Sequence, residues 1–263
     1  MLTLKIEQQG CMLAASSGEW ETTLVYALQY APGDQVIVEC DQSNVHLLLQ
    51  LDDAMPPAVV YLTGNRYALS VPFEEKRVAY SPRVFSADRH VLYVRMATSE
   101  EIKVRRNLAL NPWDAHENTT LYPHAAANVE TRGESVFAAR NAIDGVKASH
   151  DHGPWPFQSW GINQNPDAEL TVSFGREVLI DEAVLYLRAD FPHDAWWERA
   201  TLTFSDGSSE IIQLQKTAEG QRFRWTARAV QWIRLHTLIK ADDPSPFPAL
   251  TQVEFWGAEK EQQ

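Results

Sequence analysis

The chain lacks most of the features that announce a function. Two cysteines in 263 residues exclude a disulfide scaffold, and no Cys pair or Cys/His spacing suits a structural zinc. Cys11 and Cys40 read instead as small buried hydrophobes of a reducing compartment. Positive charge is scarce. The 23 Lys+Arg against 35 Asp+Glu leave a formal net charge of -12, which disfavours nucleic acid and anionic membranes as partners. No window approaches the ~20 apolar residues of a spanning helix. The opening MLTLKIEQQGCMLAASS has no basic region followed by an unbroken apolar run, because Lys5, Glu7, Gln8 and Gln9 interrupt it. With Met1 as the natural start, a cytoplasmic location is expected. There is no phosphate loop, no nucleophile elbow and no dinucleotide fingerprint. No stretch carries the apolar stripe of an amphipathic helix.

Period-two alternation is abundant. Segments 24–30, 35–40, 45–51, 58–71 and 90–96 alternate apolar and polar residues and are bounded by turn formers. Gly64-Asn65 is a tight hairpin signal within 58–71. These strands predict a β-sandwich of about a hundred residues. A polar stretch over 97–120 follows, and strands return at 168–175, 182–188, 200–204, 209–215, 221–225, 230–238 and 250–257. Ser205-Asp206-Gly207-Ser208 predicts a hairpin turn. The composition, 44% hydrophobic and 22% charged, is that of a globular protein. An all-β fold of two sandwich domains is expected, with a boundary near residue 104: 1–104 without an assigned role, and 105–263. One large β domain is the alternative.

Four stretches of the second half resemble the discoidin-like class, the coagulation-factor type-C domains with a galactose-binding-like jelly roll. They are RNLALN (106–111), AARNAIDG (138–145), ATLTFSDGS (200–208) and ALTQVEFWG (249–257). The resemblance spans 106–258 and implies a jelly-roll fold and carbohydrate binding. It also implies a structural calcium ion at the Asp-Gly element, held by the Ala142 carbonyl, Asp144, oxygens near Ala148 and Ser149, and Gln252. The sequence departs from the pattern there. Val146 and Ser149 replace the usual Asn/Asp and Thr, and Gln252 replaces a glutamate, which removes a carboxylate from a cation that prefers six to eight oxygens.

Tryptophan is distributed unevenly, with eight of the nine after residue 104. Trp225, Trp232 and Trp256 lie in strands and are expected to be core or half-buried. The loop SHDHGPWPFQSWG (149–161) offers His150, His152, Trp155, Phe157 and Trp160. The stretch RADFPHDAWWERATLTF (188–204) offers Arg188, Asp190, His193 and the Trp196-Trp197 pair. A pyranose presents an apolar face and a rim of hydroxyls, which an indole and a few fixed donors and acceptors complement. Alternation counted back from Ala200 places Trp196 inward and Trp197 outward. The plainer reading makes these rings lids over the sandwich end, and Arg188–Asp190 an ion pair. Arg105-Arg106 reads as a solvated boundary.

The expected function is therefore a non-catalytic saccharide binder, with a homodimer or a partner enzyme as further partners. A protein-interaction module and a carbohydrate-active enzyme are the rivals. A glycosidase needs paired carboxylates, and Asp190, Asp194 and Glu198 supply the candidates. His150-Asp151-His152 alone is a weak metal motif.

Overall fold

Leu2, Leu4 and Ile6 alternate with Thr3, Lys5 and Glu7, and that period of two makes the first residues a strand. The computed structural model describes residues 1–189 and 195–260. Its first domain contains β1 (Leu2–Gln8), β2 (Cys11–Gly18), β3 (Glu21–Tyr26), β4 (Asp34–Cys40), β5 (Val45–Gln50), β6 (Ala58–Leu62), β7 (Arg66–Ser70) and β8 (His90–Met96). One sheet runs β2-β1-β4-β7 and the other contains β6-β5-β8-β3. Leu4, Ile6, Val36, Val38, Leu47 and Leu92 fill the space between them. Cys40 is buried as expected, but Cys11 is exposed, because it opens an edge strand.

Gly64-Asn65 is not a hairpin turn. β6 pairs with β5 whereas β7 pairs with β4, so the chain passes from one sheet to the other at this point. Neither residue takes the positive φ that a two-residue hairpin of this kind requires. Gly64 serves close approach instead, since a Cβ there would stand 3.3 Å from the Thr120 side chain.

A short helix, α1 (Ser99–Lys103), leaves the first domain. The Thr98 hydroxyl accepts from the Glu101 N–H at 3.3 Å and the Glu101 carboxylate accepts from the Thr98 N–H at 2.9 Å, a reciprocal cap. The remaining strands are β9 (Arg106–Asn107), β10 (Leu121–Tyr122), β11 (His124–Ala127), β12 (Trp160–Gly161), β13 (Leu170–Leu187), β14 (Trp197–Phe204), β15 (Ser209–Gln213), β16 (Gln221–Lys240) and β17 (Ala249–Glu259). All but β10 belong to one antiparallel sheet of order β12-β17-β13-β16-β14-β15, with β11 on β13 and β9 on β17. The expected strand pairs 168–175/182–188 and 221–225/230–238 are each one long bulged strand, β13 and β16. At the bend of β13, Gly175 has φ +72, and a Cβ would lie 2.5 Å from the Tyr122 ring. Trp160, Phe174, Leu185, Trp197, Phe204 and Phe255 form the heart of this second core. The all-β class thus holds for both halves. Trp225, Trp232 and Trp256 are half-buried, as their strand positions imply.

At Arg106–Asn107 the chain first joins the sheet of the second half, where β9 pairs with β17. It then returns. Trp113 is fully enclosed in the first core and its indole N–H donates to the Leu49 carbonyl at 2.9 Å. β10 pairs with β6. The polarity of 97–120 marks a connection, but Trp113 and Leu121 belong to the domain that the connection has left. A polar knot also joins the halves. The Glu259 carboxylate accepts from Arg176 Nε at 2.7 Å and from Arg106 at 2.7 Å, and faces His46 of β5 at 3.1 Å. Arg176 lies 4.6 Å from the Tyr61 ring centre. Arg106 is therefore a half-enclosed interface residue rather than part of a solvated boundary, while Arg105 pairs with Asp181 and Glu182 at the surface.

Candidate loop site and the cavities beside it

The loop before β12 is tied down at its base. The Ser159 N–H donates to the Val136 carbonyl at 2.9 Å, and the His150 N–H donates to the Pro156 carbonyl at 3.0 Å. The crest between them leaves His150, Asp151 and His152 exposed and Trp155 half-buried. Phe157 turns inward. Its ring centre is 6.2 Å from that of His152, and the Arg188 guanidinium lies 5.7 Å from it. Arg188 stands at the end of β13, its N–H donating to the Ala249 carbonyl at 3.0 Å, and only 2% of its surface is exposed. The two loop regions singled out in the sequence do meet, at Phe157 beside Arg188 and at the Trp160–Trp197 ring pair. The place of Phe157 between Pro156 and Gln158 carried no such signal. Asp190 and His193, with Asp194, lie outside the described residues.

Trp160 and Trp197 correct the expectation of an open aromatic platform. Both have 0% exposure. Trp160 donates its indole N–H to the Val129 carbonyl at 3.0 Å, while the Trp197 N–H has no partner among the described residues. The inward ring of the pair is Trp197, and Trp196 is the half-buried one, the reverse of the parity argument. The register explains it. β14 shifts against β16 between Trp197 and Arg199 and again between Arg199 and Thr201. Glu198 and Arg199 consequently both face outward, and the alternation slips by one residue.

The Asp-Gly element forms a closed turn. Asp144 Oδ1 accepts from the Val146 N–H at 2.8 Å, and Oδ2 accepts from Gln158 Nε2 at 3.1 Å. Gln252 Oε1 accepts from the Gly145 N–H at 3.0 Å. Lys147, two residues on, is ion-paired with buried Glu254. Ser149 has a buried hydroxyl with no partner among the described residues, and Ala142 is fully buried. The set holds one carboxylate, and N–H groups already occupy both its oxygens and the Gln252 oxygen. It does not fit calcium, which needs six to eight oxygen ligands. Burial pushes the Asp144 carboxyl up to about 6, and the nearby Arg140 charge offsets this only in part.

A different acidic group, Asp52, Asp53 and His90, has the closeness a metal needs among the described residues. There Asp52 already accepts from the Ala54 and Phe85 N–H groups at 2.8 and 2.9 Å and faces His90 at 3.3 Å.

Two cavities lie near the loop. One of 190 Å3 is walled by Trp155, Asp144, Arg140, Tyr80 and Arg83. The other, of 830 Å3, opens between the two domains. Arg140 stands between them. It is stacked 4.5 Å from the Tyr80 ring centre and bonded to the carbonyls of Asp114 and Pro112 and to Asn141 at 2.8, 2.9 and 3.1 Å.

No protein-family model and no curated protein matches the chain. Solved structures do. The lectin domain of lectinolysin, complexed with Lewis B antigen, matches at 16% identity and TM-score 0.44 over 58% of this chain and 97% of its own. A fucose-binding module of Streptococcus pneumoniae matches at 12% identity and TM-score 0.43, over 59% and 99%. A chitosan-binding module from a chitosanase/glucanase of Paenibacillus sp. IK-5 matches at 19% identity and TM-score 0.39, over 58% and 99%. At such identities a ligand does not transfer from any of them.

Proposed function

We propose that the chain is a non-catalytic carbohydrate-binding protein, with its saccharide seated at the loop end of the second domain against Trp155, His150 and His152. The supporting observation is the meeting of both loop regions at Phe157. On that loop the Trp155 indole is half-exposed and the His150 and His152 imidazoles are exposed. The indole suits the C–H face of a sugar ring, and the imidazoles donate to or accept from its hydroxyls. Pro154 and Pro156 restrict the loop backbone, which lowers the ordering cost of binding. A glycosidase needs two carboxyls across the scissile bond. Among the described residues the cavity beside Trp155 offers one, Asp144, while Asp190 and Asp194 lie outside them. Calorimetric titration with mono- and oligosaccharides tests the proposal. Binding that disappears in Trp155→Ala at an unchanged melting temperature supports it. Absence of any binding at millimolar sugar rejects it.

Self-association is favoured by one further observation. The outer edge of β2 is unpaired over eight residues that include no charge and no proline. The edge strands β3, β7 and β15 carry Glu21, Arg66 and Glu210, and β10 and β12 are two residues long. Edges left open are ordinarily guarded in one of these ways. Exposed Met12, Leu13, Trp20, Val25 and Leu28 lie on or next to β2 and β3. A second copy pairing edge to edge would cover β2. Sedimentation that shows a dimer in the wild type and a monomer in Ala15→Lys supports this reading, and a wild-type monomer at every concentration removes it.

A further inference from the structure

The 830 Å3 cleft between the domains has strand edges for walls. Among the described residues, β7 ends a sheet of the first domain and β11 pairs only with β13 in the second. Ala68, Leu69 and Ser70 line one side, and Ala125, Ala126 and Ala127 line the other.

The register shows which backbone groups face the cleft. The Cys40 N–H donates to the Asn65 carbonyl and the Val71 N–H to the Asp34 carbonyl, each at 2.9 Å. With Gln35 opposite Ser70 and Val38 opposite Tyr67, residues of odd number in β7 bond to β4. Ala68 and Ser70 therefore turn both N–H and C=O away from their sheet. Arg66 has the same parity, and its carbonyl accepts from the Thr120 hydroxyl at 2.9 Å on that outer side. In β11 the Asn128 N–H donates to the Glu169 carbonyl, so Ala125 and Ala127 face away from β13. The Ala125 N–H is taken by Asp114 at 2.9 Å. What is left is a row: the N–H and C=O groups of Ala68, Ser70 and Ala127, and the Ala125 carbonyl. None has a protein partner among the described residues. The side chains beside them are small, so another backbone can approach.

Alternating donors and acceptors at strand spacing are satisfied by an added strand. Sugar hydroxyls do not repeat with that period. The lining is also acidic. Glu74, Glu75, Glu117 and Glu130 stand against Lys76 and Arg140, and the Arg140 guanidinium is held by Asp114, Pro112 and Asn141. We propose that the cleft binds an extended peptide segment with basic side chains, added as a strand to the free edge of β7 and facing β11.

A random-peptide phage library panned on the full chain tests this. Enriched peptides should be rich in Lys or Arg and in β-branched residues, and should slow amide exchange at Ala68 and Ser70. Their affinity should fall roughly tenfold in Ser70→Pro, the loss of about one hydrogen bond. The Ser70 N–H faces away from β4, so proline there leaves the ladder intact, which a melting curve checks. If that variant does not fold, the exchange measurement on the wild type decides alone. The proposal is overturned if no peptide is enriched. It is also overturned if Ser70→Pro binds equally well, or if a saccharide or rising protein concentration protects Ala68 and Ser70 and peptides do not.

Discussion

The rings of Trp160 and Trp197 lie with their centres 6.3 Å apart, tilted by 42°, and neither reaches solvent. They close the core beneath the loop end and separate two roles that the sequence places on one group of tryptophans. Enclosed rings carry stability, and the proposed saccharide contact falls to Trp155. Trp197→Ala should cost about 3–5 kcal/mol. Trp197→Phe removes an N–H that has no partner among the described residues and should cost less than half of that. Trp155→Ala should change saccharide binding far more than stability. Denaturant unfolding and calorimetry on the three variants check this, and a Trp155→Ala protein as unstable as Trp197→Ala would contradict it.

Glu259 predicts acid sensitivity of the contact between domains. Burial pushes its carboxyl up, but the hydrogen bonds from Arg176 and the facing His46 outweigh this and hold it well below the usual carboxylate range. A depressed folded value contributes stability that is present above the unfolded value of about 4.3 and is lost as pH falls through the folded value. Wild-type stability should therefore drop below about pH 5. Glu259→Gln should be weaker by about 3 kcal/mol at neutral pH, because two guanidinium groups lose their partner, and should show a flatter acid limb. Equal acid limbs in the two proteins would refute the assignment.

Asp144 has the opposite sign. Its folded value is raised to about 6, so its contribution is full below the unfolded value near 3.9 and is lost as pH rises through about 6. Asp144→Asn removes the titration. The Gln158 amide can turn its partnerless oxygen towards the new donor. The variant should match the wild type near pH 4 and be more stable by on the order of 1–3 kcal/mol at pH 8. Melting curves at the two pH values distinguish this from a variant that is destabilised at both.

The Asp-Gly turn should be indifferent to calcium. Melting temperatures in millimolar calcium and in chelator should coincide, since N–H groups already hold the Asp144 and Gln252 oxygens. A melting temperature several degrees higher in calcium would show that the turn opens to accept the ion.

Local pattern alone determined the all-β class, most strand positions, the Ser205–Ser208 turn and the half-buried strand tryptophans, because alternation with period two and turn chemistry act within a few residues. Tertiary structure decided the rest. Two register shifts in β14 turned Trp197 inward and Trp196 outward, since a slip of one residue reverses every later side chain. Gly64-Asn65 became a passage between sheets because the partners of β6 and β7 lie in different layers. Trp113, in a stretch polar enough to read as a linker, returned to a core that closed more than ten residues earlier. The row of free backbone groups along the cleft has no side-chain signature at all. It exists because two separate edges, β7 and β11, were brought to face one space, and only the packing of one domain on the other does that.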